Sequence, residues 1–133
     1  MQALVLPVGS DRYALELTSV CEVVKAPDVT PLPGAPAGVL GVLNLRGDVV
    51  PLLDTAVLLG TGRVKDVAFA AVADTDDGLA ALAADGEPAT VALGPPAGAA
   101  ESPAGVARYA VGDGLVVLLD LAVLLAPERV AAT

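Results

Sequence analysis

The 133-residue sequence contains no histidine and no tryptophan. It therefore lacks the commonest general base, the usual zinc ligand and any phosphate-accepting imidazole. A single cysteine, Cys21, excludes an internal disulfide and accords with a reducing, cytoplasmic setting. Lying in the apolar run 20–24, it reads as a buried small hydrophobe and not as a nucleophile. Only three aromatics (Tyr13, Phe69, Tyr109) and a net charge of −9 argue against nucleic-acid binding, which needs basic patches and stacking surfaces. Although 55% of the residues are apolar, no apolar run approaches the roughly 18 residues of a membrane helix. Residues 1–12 have neither a basic start nor an adequate apolar stretch, so no signal peptide is expected. There is no GxSxG, no phosphate-binding loop and no CxxC pair. Asp74, Asp76 and Asp77 lack the glutamate that would complete a calcium loop and read as a solvated turn. The expectation is a protein with no enzymatic activity, no cofactor and no metal.

What is present is a repeat. Residues 52–59 read LLDTAVLL and residues 118–125 read LLDLAVLL, 66 residues apart from Asp54 to Asp120. Such self-similarity implies two similar halves, about 1–66 and 67–133, packed into one domain. Upstream, Gly41-Val42 answers Gly105-Val106 if the second copy carries two extra residues in its turn. In the first copy, residues 41–45 and 49–53 are apolar runs around the turn Arg46-Gly47-Asp48. Asp54 stands where a cap belongs before a short helix over 55–59, which Gly60 ends. In the second copy Asp120 is the cap and Pro127 blocks continuation. Asp54 and Asp120 are thus structural caps, not catalytic carboxylates.

The rest of the chain reads as short strands. Residues 3–8 and 13–17 flank a Gly-Ser-Asp-Arg turn as a hairpin, and residues 19–24 fit a helical turn feeding a strand or a strand alone. Four prolines between 27 and 36 make a stiff connection. Residues 67–73 and 78–84 form a second hairpin, the latter a strand despite its alanines because the repeat demands it. Residues 90–93 follow, and 94–104 form a solvent loop rich in proline, glycine and alanine. Many short strands between turn signals give an all-β domain of small barrels. Asp11 and Asp77 also stand 66 apart. The charge is uneven: residues 1–66 hold five basic and seven acidic residues, a net of −2, and residues 67–133 hold two and nine, a net of −7.

One cation is unusually placed. Asn44-Leu45-Arg46-Gly47 interrupts an apolar stretch, and Arg46 is the only cation between Lys25 and Arg63. It reads either as a solvated arginine, paired with Asp48, or as an anchor for a partner's carboxylates at a rigid hairpin tip.

Several segments together resemble the CheW family of chemotaxis coupling proteins: Tyr13-Ala14-Leu15, Val20-Cys21-Glu22-Val23, residues 30–36 (TPLPGAP), residues 41–47 (GVLNLRG) and residues 50–54 (VPLLD). The similarity runs from about Leu4 to Leu125. It implies two intertwined five-stranded SH3-like β-barrels with short helical turns and a groove between them. It also implies an adaptor that joins chemoreceptor tips to a chemotaxis histidine kinase, reaching membrane arrays only through those partners. The receptor-facing residues it implies are Val20, Glu22 and Arg46, with Asn44 and Gly47 of the same motif; kinase-contact residues stay unassigned. Departures lie in the second half, where residues 83–88 read AADGEP and several large apolar positions are alanine, so a thinner core is expected there. With no further domain in the sequence, a stand-alone adaptor is expected. The rivals are a divergent regulator that binds only one of those partners, and a ligand-binding barrel, which would need a deep groove lined by alanines.

Overall fold

The computed structural model describes residues 1–102 and 104–133. Among the described residues, ten strands and three short helices follow one another. β1 (Gln2–Val8) and β2 (Asp11–Glu16) form the first hairpin, and a 3₁₀ turn (Leu17–Ser19) leads into β3 (Val20–Lys25). β4 (Val39–Leu45), β5 (Asp48–Leu53) and α1 (Thr55–Leu59) complete the first half. The second half has β6 (Phe69–Thr75), β7 (Gly78–Ala84), β8 (Ala89–Ala92), β9 (Gly105–Val111), β10 (Gly114–Leu119), α2 (Leu121–Leu124) and α3 (Pro127–Ala131).

The strands form two five-stranded sheets, ordered β8-β1-β2-β10-β9 and β3-β6-β7-β5-β4. Each takes its inner hairpin from one half and its other three strands from the other half, which gives the two intertwined barrels. The joins are parallel: Ala14 lies opposite Leu118 between β2 and β10, and Leu52 opposite Ala81 between β5 and β7. All other strand pairs are antiparallel. The larger of two apolar clusters, with Leu6, Leu15, Leu52, Val72 and Leu82 fully buried, runs through both sheets and the helices, and a smaller one around Val5, Val116 and Leu118 lies along the first sheet.

The duplication holds strand by strand. Leu6 faces Tyr13 in the first hairpin and Ala73 faces Ala80 in its counterpart, an offset of 67 residues. β4–β5 and β9–β10 are 66 apart, and both carry a bulge at the same place: Val39 pairs with Leu53 and Gly105 with Leu119, while the next pairs are Gly41 with Leu52 and Ala107 with Leu118. Gly105 therefore corresponds to Val39, not Gly41, and the second copy has no extra residues in its turn. Gly41 is a glycine for a local reason. Its backbone is left-handed (φ 155°), and a methyl there would collide with the carbonyl of Thr30, which accepts from Val42 N–H at 2.9 Å. Asp11 and Asp77 are not equivalents either, because the first hairpin runs at 67.

Other expectations are corrected. Of the two readings of 19–24, the turn feeding a strand holds, with the turn shifted back to Leu17–Ser19 and 20–24 extended. β3 is an edge strand whose faces alternate, so Cys21, Val23 and Lys25 are exposed while Val20, Glu22 and Val24 are half-buried. Cys21 is thus an exposed free thiol, not a core residue. Pro127 follows the end of α2, as expected, and also occupies the first turn of a further helix, α3, where its missing N–H costs no hydrogen bond. The stretch 94–104 is not wholly solvent loop, since Gly98 bridges to Arg108 and Ala104 is buried; Pro103 lies outside the described residues. The β6–β7 alanines are buried to the last methyl, and Thr55 Oγ1 donates to the Ala83 carbonyl at 2.7 Å across that close approach.

The two capping aspartates differ. Asp54, 2% exposed, accepts from Val57 N–H in α1 and also from the buried Val64 N–H, both at 3.1 Å, so it folds the following loop back onto the helix. Asp120 is exposed and accepts only from the first turn of α2, from Ala122 and Val123. α3 fastens the second half to the first: Arg129 donates to the Leu58 carbonyl at 2.9 Å, and Thr133 Oγ1 accepts from Gly38 N–H at 2.8 Å. Chemical denaturation checks the difference between the caps. Asp54→Ala, which orphans a buried donor as well as a cap, should cost about 2–3 kcal/mol. Asp120→Ala should cost about 0.5–1 kcal/mol, and equal losses would contradict the distinction.

Candidate functional site

The β4–β5 hairpin closes through a two-residue loop, Arg46-Gly47, and both residues have positive φ (51° and 92°). This is the twist that a tight hairpin of right-handed strands requires. Glycine takes that conformation freely, whereas arginine is an uncommon occupant. Asn44 secures it: its side-chain Oδ1 accepts from Gly47 N–H at 3.0 Å. The loop therefore points Arg46 outward from a stiff strand end, with 77% of its side chain exposed.

The Arg46 guanidinium donates to Glu22 on β3, whose side chain is 29% exposed. This is the only ion pair among the described residues. It selects neither the free arginine nor the Asp48 partnership weighed from sequence. The hydrogen bond to Glu22, its charge and, more weakly, the charge of Asp48 push the guanidinium pKa up, so Arg46 stays a fixed cation. β3 and β4 are opposite edges of the second sheet, so the pair spans the two edges of one barrel. Val20 lies at the start of β3, across a bulge from Glu22, and is half-buried and packed against the main core. The structure thus gathers Glu22, Asn44, Arg46 and Gly47 at one tip, with Val20 behind it.

The second half lacks this arrangement. At the positions corresponding to Glu22, Asn44, Arg46 and Gly47 it has Ala89, Ala110, Gly112 and Asp113. A symmetric scaffold therefore carries one cationic tip. Two cavities open where the sheets meet, of about 570 and about 320 Å³, and none of the five tip residues lines either. Sequence reasoning missed the Glu22 partner, since 24 residues of chain separate it from Arg46. It also missed the left-handed arginine, although an Arg-Gly pair between two apolar runs is a readable sign of a two-residue loop.

A family model described as "CheW-like domain" matches residues 2–129. Protein FrzA of Myxococcus xanthus is 31% identical over 138 residues, covering 92% of this chain and 83% of that protein. "Chemotaxis protein CheW" of Treponema pallidum (strain Nichols) is 38% identical over 53 residues, 40% of this chain and 31% of that protein. The matches to that protein and to three further CheW relatives span about a third of the relatives' length, 31–35%. The scaffolding protein TtCheW from Thermoanaerobacter tengcongensis superposes with a TM-score of 0.74 at 22% identity, over 90% of this chain and 88% of that one, and so shares the fold.

The turn clamp has a direct test. Asn44→Ala should lower stability by about 0.5–1.5 kcal/mol and speed hydrogen exchange at the Gly47 amide. Asn44→Asp, which keeps an acceptor in place, should restore slow exchange. Unchanged exchange in Asn44→Ala would show that the loop holds its shape without the clamp.

Proposed function

The chain belongs to the CheW-like domain family, and from that premise we propose that it is a non-enzymatic adaptor of a chemotaxis signalling array in the cytoplasm. In this reading it couples the cytoplasmic tips of chemoreceptors to the regulatory domain of a chemotaxis histidine kinase, and it acts by binding both at once. The observation that carries the reading is the exposed, ion-paired cation Arg46, held in a left-handed loop and oriented by Glu22. A fixed guanidinium at a strand end suits docking to carboxylates on a helical partner, where Arg reads geometry as well as charge. Glu22 and Arg46 then set the register of the receptor helix, Val20 supports them from the core side, and Asn44 and Gly47 hold the loop that presents the cation. The absence of an equivalent tip in the second half favours receptor binding at one end only. Kinase-contact residues are not assigned.

The test is a pair of titrations with the purified chain, against a receptor-tip fragment and against the kinase regulatory domain. Arg46→Glu should weaken the receptor leg by about tenfold or more and leave the kinase leg and the melting temperature unchanged. Receptor binding that survives the charge reversal would remove Arg46 from the site. Binding to the kinase alone would leave a regulator that serves one partner, and binding to neither would refute the adaptor.

A further inference from the structure

The two cavities share Thr75, Asp77, Leu125 and Pro127, so they form one continuous trough across the junction of the two sheets. Its two ends differ in chemistry. The smaller end, about 320 Å³, is an apolar groove with Val39, Leu53, Leu79, Leu125 and Val130 in its walls. The larger end, about 570 Å³, is rimmed by Glu16, Asp74, Asp76, Asp77 and Asp120, all exposed. No lysine or arginine lines either end, and none of these carboxylates is in an ion pair.

The geometry points to this trough as a docking surface for a basic amphipathic polypeptide segment, with apolar side chains in the groove and lysines or arginines against the carboxylate rim. The alternatives fail on charge or geometry. Nucleic acid and anionic lipid carry the same sign as the rim and are repelled. Among the described residues no three carboxylates are placed to hold one metal ion, so the charges are spread for several separate cations. A cationic polymer supplies those cations at intervals, and an apolar stripe on it covers the groove. This surface differs from the Arg46 tip in sign: the tip offers a cation to carboxylates, and the trough offers carboxylates to cations. The two surfaces are therefore chemically distinct, and the inference stands whether or not the tip binds a receptor.

The probe is a fluorescently labelled synthetic peptide with leucines at helical spacing and lysines between them, titrated by anisotropy against the full chain. The control is a scrambled peptide of identical composition. The amphipathic peptide should bind, weaken as salt rises, and bind the Asp74→Asn/Asp76→Asn/Asp77→Asn variant about tenfold less tightly. Val130→Asp, which places a charge in the groove, should weaken it similarly, and Arg46→Glu should not weaken it. Amide chemical-shift changes should fall on residues 74–79 and 120–131. No binding, equal binding of the scrambled peptide, full affinity in the triple variant, or shifts centred on the Arg46 loop would each overturn the proposal.

Discussion

Two parallel strand contacts hold this architecture together. β2 beside β10 and β5 beside β7 are the parallel seams at which one half joins the inner hairpin of the other, whose opposite edges are covered antiparallel by β8 and β3. Each contact brings a β-branched or leucine-rich strand, β5 or β10, against an alanine-containing neighbour, so the backbones approach without crowding. Everything downstream depends on those seams. Helices α1 and α2 leave β5 and β10 directly after them, and their caps, Asp54 and Asp120, inherit their positions from the seam strands. The trough between the sheets exists because the seams fix how the two barrels sit against each other.

On this two-fold plan the halves have been put to different use. The bulge recurs at the same place in both copies, a sign that it serves the barrel itself. The loop after it does not recur: one copy has a clamped arginine and the other a Gly-Asp pair. The cap residues diverge in the same way, with Asp54 buried and serving two segments while Asp120 serves one. Geometry that both barrels need is shared, and chemistry that faces outward is not. A residue whose counterpart at 66 or 67 residues is of another chemical type is therefore the first place to look for a partner contact.

Much of this could be read from residues. The repeated LLD-x-AVLL segments, the turn residues between apolar runs and the proline-rich connection gave the element order, and the repeat kept β7 a strand against alanine's propensity. What failed did so for identifiable reasons. Cys21 was placed by its apolar neighbours, but on an edge strand alternate positions face outward whatever their neighbours are. Gly41 was matched to Gly105 because both are glycines, although one avoids Thr30 and the other opens a strand. Pro127 stops α2 as read, but the same residue also opens α3, which the reading of it as a stop alone left out. The Glu22–Arg46 pair and the trough depend on which strands become neighbours, information that resides in the topology and not in any window of sequence.

The exchange of strands also sets an order in time. Tyr13 meets Val117 across the seam, and Leu4 meets Thr90 at the sheet edge. As the chain is made, the β1–β2 hairpin must wait for nearly the whole sequence before its own sheet can close. Contacts this distant along the chain slow folding, because loop entropy is lost before the pairing repays it. The second sheet closes sooner, since β5 and β7 are separated by only one helix and one strand. A nascent chain therefore carries a finished second sheet beside a hairpin whose β2 edge stays unpaired until β10 emerges. In that interval the exposed edge of β2 is the part of the protein most in need of protection from other chains.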